Sequence, residues 1–228
     1  FKKKIPCLLF ADNIKPTPLM LELSDKYGIP FFITALPSTK LMTITCMCLE
    51  EEFAPCTTQY GSMVDIQGVG VLIRGESGIG KSECVLSLIN RGYSLVSDDI
   101  TKFRYVEGGE LVGFSPDISR HFMEVRGIGI INVVRIFGAS SIRDRKRLDL
   151  VVTLKFWDSV ENVDRLGLDA EYYEVLNKKI PHVTIPIRPG RDIGGLIEVA
   201  AMDQKLKSIG EYAAEDFNNK LLMKMQGF

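Results

Sequence analysis

The sequence predicts an α/β fold in two parts: the C-terminal part of a small βα N-terminal domain over residues 1–55, and a larger domain with a mixed sheet over residues 56–228. Along both parts, short apolar segments typical of strands alternate with segments of helical periodicity. In the larger part, pairs of strand-like segments are joined by tight turns, which indicates hairpins. Antiparallel pairs are therefore expected in the sheet.

The smaller part is expected to contain a β-α-β-α succession. IPCLLFA at 5–11 and IPFFIT at 29–34 are apolar enough for strands, and Gly28 ends the helix between them. Ser38 is a candidate N-cap for a second helix, which ends at Ala54 because a residue before proline is disfavoured in helical geometry. Such a piece is small for a doubly wound sheet, so it either docks on the larger domain or ends a domain that begins upstream.

The larger part is expected to alternate hairpins, strands and helices. In LDLVVTLKFW at 148–157, the side chains of Leu150, Val152, Leu154 and Phe156 alternate onto one face of a strand. The other expected elements, in chain order, are a hairpin turning at Gln67-Gly68, a helix over 83–92, a strand over 93–97, a hairpin turning at Gly108-Gly109, a strand over 183–187, and helices over roughly 193–208 and 211–225.

A glycine-rich stretch, GESGIGKSE at 75–83, fits the phosphate-loop pattern GxxxxGK[ST] between an expected strand and an expected helix. Glycines let the backbone curl so that its N–H groups point at phosphate oxygens, and the helix N-terminus adds positive partial charge. Lys81 would bridge the outer phosphates and Ser82 would bind Mg²⁺. The predicted ATP-binding residues are Gly75, Glu76, Ser77, Gly78, Ile79, Gly80, Lys81 and Ser82.

An acidic pair, Asp98-Asp99, follows the apolar strand expected at 93–97. In common phosphate-loop enzymes an apolar strand ending in aspartate supplies a carboxylate for Mg²⁺ and its water. A second carboxylate can accept a proton from an attacking hydroxyl. The other interpretation is a solvated turn, because aspartates are frequent where strands end.

The composition argues against several classes of partner. The 28 Lys and Arg residues balance 29 Asp and Glu residues without a long run of one sign, so no nucleic acid or membrane partner is expected. No apolar run is long enough for a spanning helix and the start of the chain lacks a clear signal-cleavage pattern, which predicts a cytoplasmic protein. The five cysteines contain no CxxC pair and are expected to be buried apolar residues, not zinc ligands.

MEVRGIGIINV, which contains Glu124, extends the pattern set by GESGIGKSE and LVSDD, and together these stretches resemble the bacterial HPr kinase/phosphorylase family. DRLG at 164–167, PIRPGR at 186–191 and IEVAAMDQKLKSIG at 197–210 also agree with that family. The likeness is continuous from residue 60 to about 215. The opening piece, with DKYGIPFF and LEEEFAP, looks like the end of the family's N-terminal domain.

The resemblance implies a P-loop kinase domain of the HPr kinase/PEP carboxykinase type. It implies a bifunctional enzyme that uses ATP and Mg²⁺ to phosphorylate a serine of the phosphocarrier protein HPr. The reverse activity would remove that phosphate by attack of inorganic phosphate, releasing pyrophosphate. It further implies a homo-hexamer whose C-terminal helices lie near the HPr docking surface.

The resemblance also assigns tasks to individual residues. The implied catalytic residues are Lys81, Asp98, Asp99 and Arg165; the implied Mg²⁺ ligands are Ser82 and Glu124. The stretch from Met123 to Asn132 matches one needed in both directions. The residues implied mainly in dephosphorylation are Pro186, Ile187, Arg188, Pro189, Gly190 and Arg191. Which aspartate accepts the proton stays open.

Two of these assignments can be weighed by their chemistry. A serine hydroxyl is nearly un-ionised at neutral pH, so a carboxylate must accept its proton during transfer. Arg188 and Arg191 suit the grip of a phosphate, although a basic solvated turn is the simpler interpretation of those residues alone.

One departure from the family is Tyr60-Gly61, where a histidine followed by glycine is usual. A phenol can donate a hydrogen bond to a carboxylate but cannot supply a cation near neutral pH. We therefore expect kinase activity to survive and the balance with phosphorolysis to shift. His121 and His182 lie elsewhere and are expected to be structural or solvated.

Two alternatives remain open from the sequence. One is a small-molecule kinase or a PEP carboxykinase relative with a similar loop. The other is a nucleotide-sensing regulator without catalysis, in which Tyr60 marks a lost activity.

Overall fold

A parallel pair of short strands, β1 (Leu8–Phe10) and β2 (Phe31–Ile33), begins the computed structural model, which describes residues 5–106, 108–159, 170–188 and 190–225. The chain divides into two units, Phe1–Ala54 and Pro55–Phe228. The first unit also holds helices α1 (Pro18–Tyr27) and α2 (Ser38–Phe53). It has the expected β-α-β-α order.

The ends of α1 follow from local chemistry. Thr17 is its N-cap and accepts a hydrogen bond from the Met20 N–H at 3.4 Å, while Pro18 occupies the first turn, where no backbone N–H is needed. Gly28 ends the helix in a left-handed conformation with φ 63°, as expected from the sequence.

The expectation for α2 was wrong at its start. Ser38 is the first helical residue, and Pro37 stands at the N-cap without a side-chain hydrogen bond to the helix. The Ser38 hydroxyl donates instead to Asp12 Oδ2 at 3.1 Å. Its partner lies 26 residues away in sequence, which local pattern cannot reveal.

The second unit is built on a six-stranded mixed sheet in the order β13-β14-β12-β5-β4-β6. Its strands are β4 (Ser62–Ile66), β5 (Val69–Gly75), β6 (Ser94–Ser97), β12 (Leu150–Phe156), β13 (Glu171–Val175) and β14 (Lys178–Ile187). β5, β12 and β14 are parallel, whereas β4 is antiparallel to both β5 and β6. The predicted α/β fold with a mixed sheet is therefore confirmed.

A second, antiparallel sheet has four strands in the order β11-β8-β7-β3. They are β3 (Cys56–Tyr60), β7 (Ile100–Val106), β8 (Glu110–Phe114) and β11 (Arg145–Arg147). A separate hairpin joins β9 (Phe122–Val125) to β10 (Gly129–Asn132). The helices of this unit are α3 (Lys81–Asn90), α4 (Val133–Phe137), α5 (Ile193–Ser208) and α6 (Ala213–Met225).

The core lies on both faces of the six-stranded sheet. Along β5, Val71 and Ile73 pack in one cluster with residues of α3 and α5, whereas Leu72 belongs to a second cluster with residues of β7 and β8. Strands buried on both faces read as continuous apolar runs, which explains VGVLI. Each fully buried Val, Leu or Ile contributes about 1.5–3 kcal/mol, so this strand is anchored firmly where it leads into the glycine-rich stretch.

Some sequence expectations need correction at the level of single residues. Leu150, Val152 and Leu154 are buried on one face of β12, but Phe156 at the strand end is exposed. The cysteines were expected to be buried; of those, Cys46, Cys48 and Cys56 are exposed and Cys84 is buried. Among the residues that the structure describes, no helix is long and apolar enough to cross a bilayer.

Candidate active site

One edge of the six-stranded sheet collects the residues that the sequence singled out. β5, β12 and β14 are parallel to one another. β6 runs in the same direction as β5, because both are antiparallel to β4. The carboxyl ends of these strands therefore meet at one edge, where open α/β sheets bind ligands. Gly75, Asp98, Trp157 and Arg188 all lie at this edge, at or just after their strand ends.

The glycine-rich stretch, the phosphate loop, follows β5 directly. A Cβ on Gly75 would lie 3.0 Å from the Leu154 carbonyl oxygen, so only glycine fits beside β12. Gly78 and Gly80 have φ of 85° and 102°, a backbone region that favours glycine. Ile79 is buried in the core and fixes the middle of the loop.

The loop ends at the first turn of α3. Gly80 is the N-cap, and it has no side chain to satisfy the free N–H groups of that turn. An uncapped N-terminus next to a curled loop is suited to a phosphate group. Lys81 and Ser82, both half-buried, begin the helix at this point.

Lys81 is folded back over the loop. Its Nζ donates to the carbonyl oxygens of Gly75 and Glu76, each at 3.1 Å. The ammonium group is therefore held at the mouth of the loop before any phosphate arrives. A phosphate oxygen would replace these two neutral acceptors with a charged one.

Asp98 is buried, with 7 % of its surface exposed, and both carboxylate oxygens are hydrogen-bonded. The Ser62 hydroxyl donates to Oδ1 at 2.8 Å and the Glu124 backbone N–H donates to Oδ2 at 3.1 Å. Burial raises the pKa of the Asp98 carboxyl, and the charge of Asp99 adds to this. The hydrogen bond from Ser62 and the backbone N–H groups of Glu124 and Asp99 act in the opposite direction.

Asp99 differs from its neighbour because its side chain is exposed. Its backbone has φ 56°, and its carbonyl oxygen accepts a hydrogen bond from the Gly61 N–H at 2.8 Å. A Cβ on Gly61 would lie 2.7 Å from the Ile73 carbonyl oxygen, so this position requires glycine. The acidic pair thus joins one buried, oriented carboxylate to one solvated carboxylate.

Tyr60 lies at the end of β3, and 77 % of its surface is exposed. It pairs with Ile100 through the backbone. The hydrogen bonds to the Asp98 carboxylate come from Ser62 and Glu124, not from the phenol. Sequence reasoning did not single out Ser62, because its partner is 36 residues away.

The β9–β10 hairpin brings two further residues to the site. The side chain of Glu124 is exposed while its backbone contacts Asp98. Arg126, in the hairpin turn, lies against the phosphate loop, since a Cβ on Gly78 would be 3.4 Å from its Nη1. Sequence reasoning included Arg126 only within the stretch 123–132. A cation in a turn gives no local sign of what it contacts.

The turn after β14 contains the other predicted arginines. The Arg188 guanidinium lies 3.5 Å from the centroid of the Trp157 ring. Arg191 donates from Nη1 to the Pro186 carbonyl oxygen at 3.0 Å, which closes the turn that contains Gly190. Pro186 and Ile187 are buried at the end of β14, directly before this turn. Two residues of the prediction lie outside the described residues: Arg165 and Pro189.

The histidines occupy different surroundings. His182 Nε2 lies 2.8 Å from Thr153 Oγ1 and its Nδ1 lies 3.2 Å from Glu171 Oε2, while burial lowers its pKa. It is a structural residue of the sheet. His121 Nε2 lies 3.7 Å from Asp144 Oδ1, and its side chain helps to line a small pocket that also contacts Asp98.

Comparison with known proteins agrees with this geometry. Residues 51–221 match the family described as HPr Serine kinase C-terminal domain, and residues 1–49 match that described as HPr Serine kinase N terminus. The chain belongs to the HPr kinase/phosphorylase family. The resemblance stated from the sequence is confirmed. The boundary between the two family matches lies close to the boundary between the two units of the chain.

Individual relatives cover most of the chain. The HPr kinase/phosphorylase of Geobacter sulfurreducens is 42 % identical over 222 residues, 97 % of this chain and 70 % of that protein. The one from Caldicellulosiruptor bescii is 42 % identical over 225 residues, 99 % of this chain and 72 % of that protein. The structure of the Hpr(Ser) kinase/phosphatase from Coxiella burnetii matches with a TM-score of 0.63 and 33 % identity, covering 71 % of this chain and 98 % of that one.

Proposed function

We propose that this HPr kinase/phosphorylase family member transfers the γ-phosphoryl group of ATP to a serine hydroxyl of HPr. In the opposite sense, inorganic phosphate takes the phosphoryl group from phosphoserine, giving pyrophosphate and the free hydroxyl. The observation that supports this best is the position of Asp98, buried and with a raised pKa, at the same sheet edge as the phosphate loop. A carboxyl group beside the bound phosphates can accept the serine proton in the kinase direction and return it to the serine oxygen in dephosphorylation.

In the forward direction, the backbone amides of the phosphate loop and the N-terminus of α3 hold the nucleotide phosphates. Lys81 exchanges its two carbonyl acceptors for phosphate oxygens. Asp98 accepts the serine proton as the new O–P bond forms, and ADP leaves with the electrons of the broken O–P bond. In the reverse direction, the protonated Asp98 returns the proton to the serine oxygen.

Mg²⁺ is part of the proposal because the oxygen donors at the site suit it. Within the described residues no group of three or more His, Cys, Asp or Glu is arranged as a metal cage. Magnesium commonly binds through one or two carboxylates together with substrate phosphates, so such a cage is not needed. Ser82 and Glu124 would hold the ion, which would neutralise charge on the phosphoryl oxygens.

The arginines are proposed to serve the phosphate substrates. Arg188, stacked on Trp157 and exposed, presents its guanidinium at the sheet edge where the loop lies. Arg191 maintains the turn through Pro186 and places a second positive charge beside it. Arg165 would offset charge in the transition state.

The proposals on partner, assembly, location and domain organisation are supported by family membership. We propose HPr as the protein substrate, a homo-hexamer as the assembly, a cytoplasmic location, and residues 1–55 as the end of a small N-terminal domain. Each of these is a separate proposal, because the fold and the family match do not by themselves establish it.

The test is an assay with γ-labelled ATP, purified HPr and the HPr variant in which the acceptor serine is alanine. We expect label on HPr and none on the variant, followed by release of labelled pyrophosphate when inorganic phosphate is added. Label transferred only to a metabolite would indicate a small-molecule kinase. Binding of ATP without any transfer would indicate a nucleotide sensor, and either result would reject the proposal.

A further inference from the structure

Ser62 is a buried hydroxyl residue in direct contact with both members of the acidic pair. It is the first residue of β4 and has 0 % of its surface exposed. Its hydroxyl donates to Asp98 Oδ1 at 2.8 Å, and its oxygen accepts a hydrogen bond from the Asp99 backbone N–H at 3.2 Å. One side chain therefore ties the carboxylate of the first aspartate to the backbone of the second.

The direction of these two bonds is fixed by the number of donors. A serine hydroxyl has one proton and two lone pairs. The Asp99 N–H can only donate, so it uses a lone pair of Ser62 Oγ and leaves the single hydroxyl proton for Asp98. The result is one defined arrangement, with the Glu124 N–H on the other oxygen.

The backbone around Ser62 supports the same arrangement. Ser62 pairs with Ile73, two residues before the phosphate loop begins. Immediately after it, the pairing of β4 with β6 shifts register between Met63 and Val64. Such irregularities often lie next to active sites, where they redirect a side chain. Here the strand that carries Ser62 contacts both the strand leading to the loop and the strand leading to Asp98.

We propose that Ser62 is a positioning residue for phosphoryl transfer, holding the Asp98 carboxylate in the orientation that accepts the serine proton. The inference rests on the proposed function, in which Asp98 is the proton acceptor. A carboxylate offers about four lone-pair sites, and Ser62 and Glu124 use two of them. Even with the backbone N–H of Asp99 also acting on this carboxylate, at least one site is left by this count to accept the proton of a substrate hydroxyl. Loss of the orienting bond should slow transfer without weakening ATP binding.

The test compares two replacements of Ser62 with a matched control. Ser62→Ala removes the hydroxyl and Ser62→Thr keeps it. Ser94→Ala removes another buried hydroxyl of the same sheet, one that donates to the Ser140 carbonyl oxygen at 2.7 Å. Measurements are kcat and KM for ATP with HPr as acceptor, together with the thermal unfolding midpoint of each variant.

We expect Ser62→Ala to lower kcat by about 10-fold or more with KM for ATP unchanged, since general-base catalysis contributes about 10²–10⁴-fold and misplacement loses part of it. Ser62→Thr should recover a higher kcat than Ser62→Ala, and Ser94→Ala should keep the parent kcat. A kcat of Ser62→Ala within about twofold of the parent would overturn the inference. Equal losses in the Ala and Thr variants at unchanged thermal stability would overturn it too.

Asp98→Asn separates this inference from the proposed function. If the parent enzyme phosphorylates HPr and Asp98→Asn abolishes turnover while Ser62→Ala does not change it, only the role of Ser62 is rejected. If the parent shows no transfer to HPr, the proposed function itself is rejected. If Asp98→Asn keeps the parent kcat, Asp98 is not the proton acceptor and the role of Ser62 is rejected with it.

Discussion

The backbone N–H of Glu124 donates a hydrogen bond to Asp98 Oδ2 across 3.1 Å, which ties the β9–β10 hairpin to the end of β6. The bond uses the main chain of Glu124 and leaves its carboxylate exposed. A proposed metal ligand and a proposed proton acceptor therefore share one contact without competing for the same atoms. Their two tasks can be separated by mutation.

The first prediction uses that separation. Glu124→Gln keeps the backbone hydrogen bond to Asp98 and removes only the charge of the side chain. We expect the Mg²⁺ concentration for half-maximal kinase activity to rise by about 10-fold or more, because a carboxylate is the stronger ligand for this ion. Glu110→Gln, which alters an exposed carboxylate bound to Arg147, is the matched control. An identical Mg²⁺ titration for Glu124→Gln and the parent would contradict the assignment.

The second prediction concerns Lys81. Its ammonium now rests on two carbonyl oxygens and should move to phosphate oxygens when ATP binds. Hydrogen bonds to charged groups are worth about 1.5–3 kcal/mol, so Lys81→Ala should weaken ATP binding by about 10–100-fold. Calorimetric titration measures this directly. Lys205→Ala, which removes a lysine bound to the Gln67 carbonyl oxygen, should bind ATP as the parent does.

The third prediction concerns pH. Burial, followed by the nearby charge of Asp99, raises the pKa of the Asp98 carboxyl. Only the ionised carboxylate can accept the serine proton, so kcat should fall as pH drops through this raised pKa. The acid limb of the profile should lie above the usual aspartate value of about 3.9. The measurement is the single-turnover rate at a series of pH values, with circular dichroism to verify that the protein stays folded. An acid limb at or below the usual aspartate value would contradict the prediction.

The fourth prediction concerns Tyr60, which is exposed at the rim of the site. Tyr60→His introduces a group that titrates near neutral pH beside the acidic pair. We expect kinase activity in both proteins, with a changed ratio of kinase to phosphorolysis rates and a changed pH profile in the variant. Tyr60→Phe, which removes only the hydroxyl, is the control. Unchanged rates and pH profiles in Tyr60→His would show that residue 60 does not set the balance between kinase and phosphorolysis activity.

Features encoded by neighbouring residues were predictable. Gly28 ends α1, the phosphate loop joins β5 to α3, and α5 spans Ile193–Ser208 as expected, because each depends on contiguous residues. β11 is a run of three basic residues that forms a strand because β8 lies beside it. β3 also went unpredicted, being an edge strand whose partner β7 is distant in sequence. β13 went unpredicted for another reason: it pairs with the next strand, β14, across a turn at Leu176-Asn177 that has no glycine to mark it.

The site residues also divide into those predictable from neighbouring residues and those that depend on distant contacts. The loop, Asp98 and Glu124 were found from motifs, whereas Ser62 and Arg126 act through contacts made only in the folded chain. A buried serine in an apolar strand has no pattern of its own. Its partner becomes visible only when β4 and β6 are side by side.

The last prediction concerns the thiol of Cys84, in the first turns of α3. A helix N-terminus favours a thiolate, but by only about 0.3–1 kcal/mol in most settings. Burial acts against it and, with a smaller effect from the charge of Asp192, raises the pKa of Cys84 to about 12. The native protein at pH 8 should therefore react with iodoacetamide at the exposed Cys46, Cys48 and Cys56 and not at Cys84. Peptide mass spectrometry measures each site, with denatured protein as the control in which all five cysteines react. Alkylation of native Cys84 as fast as Cys56 would show that α3 does not pack against the core as described.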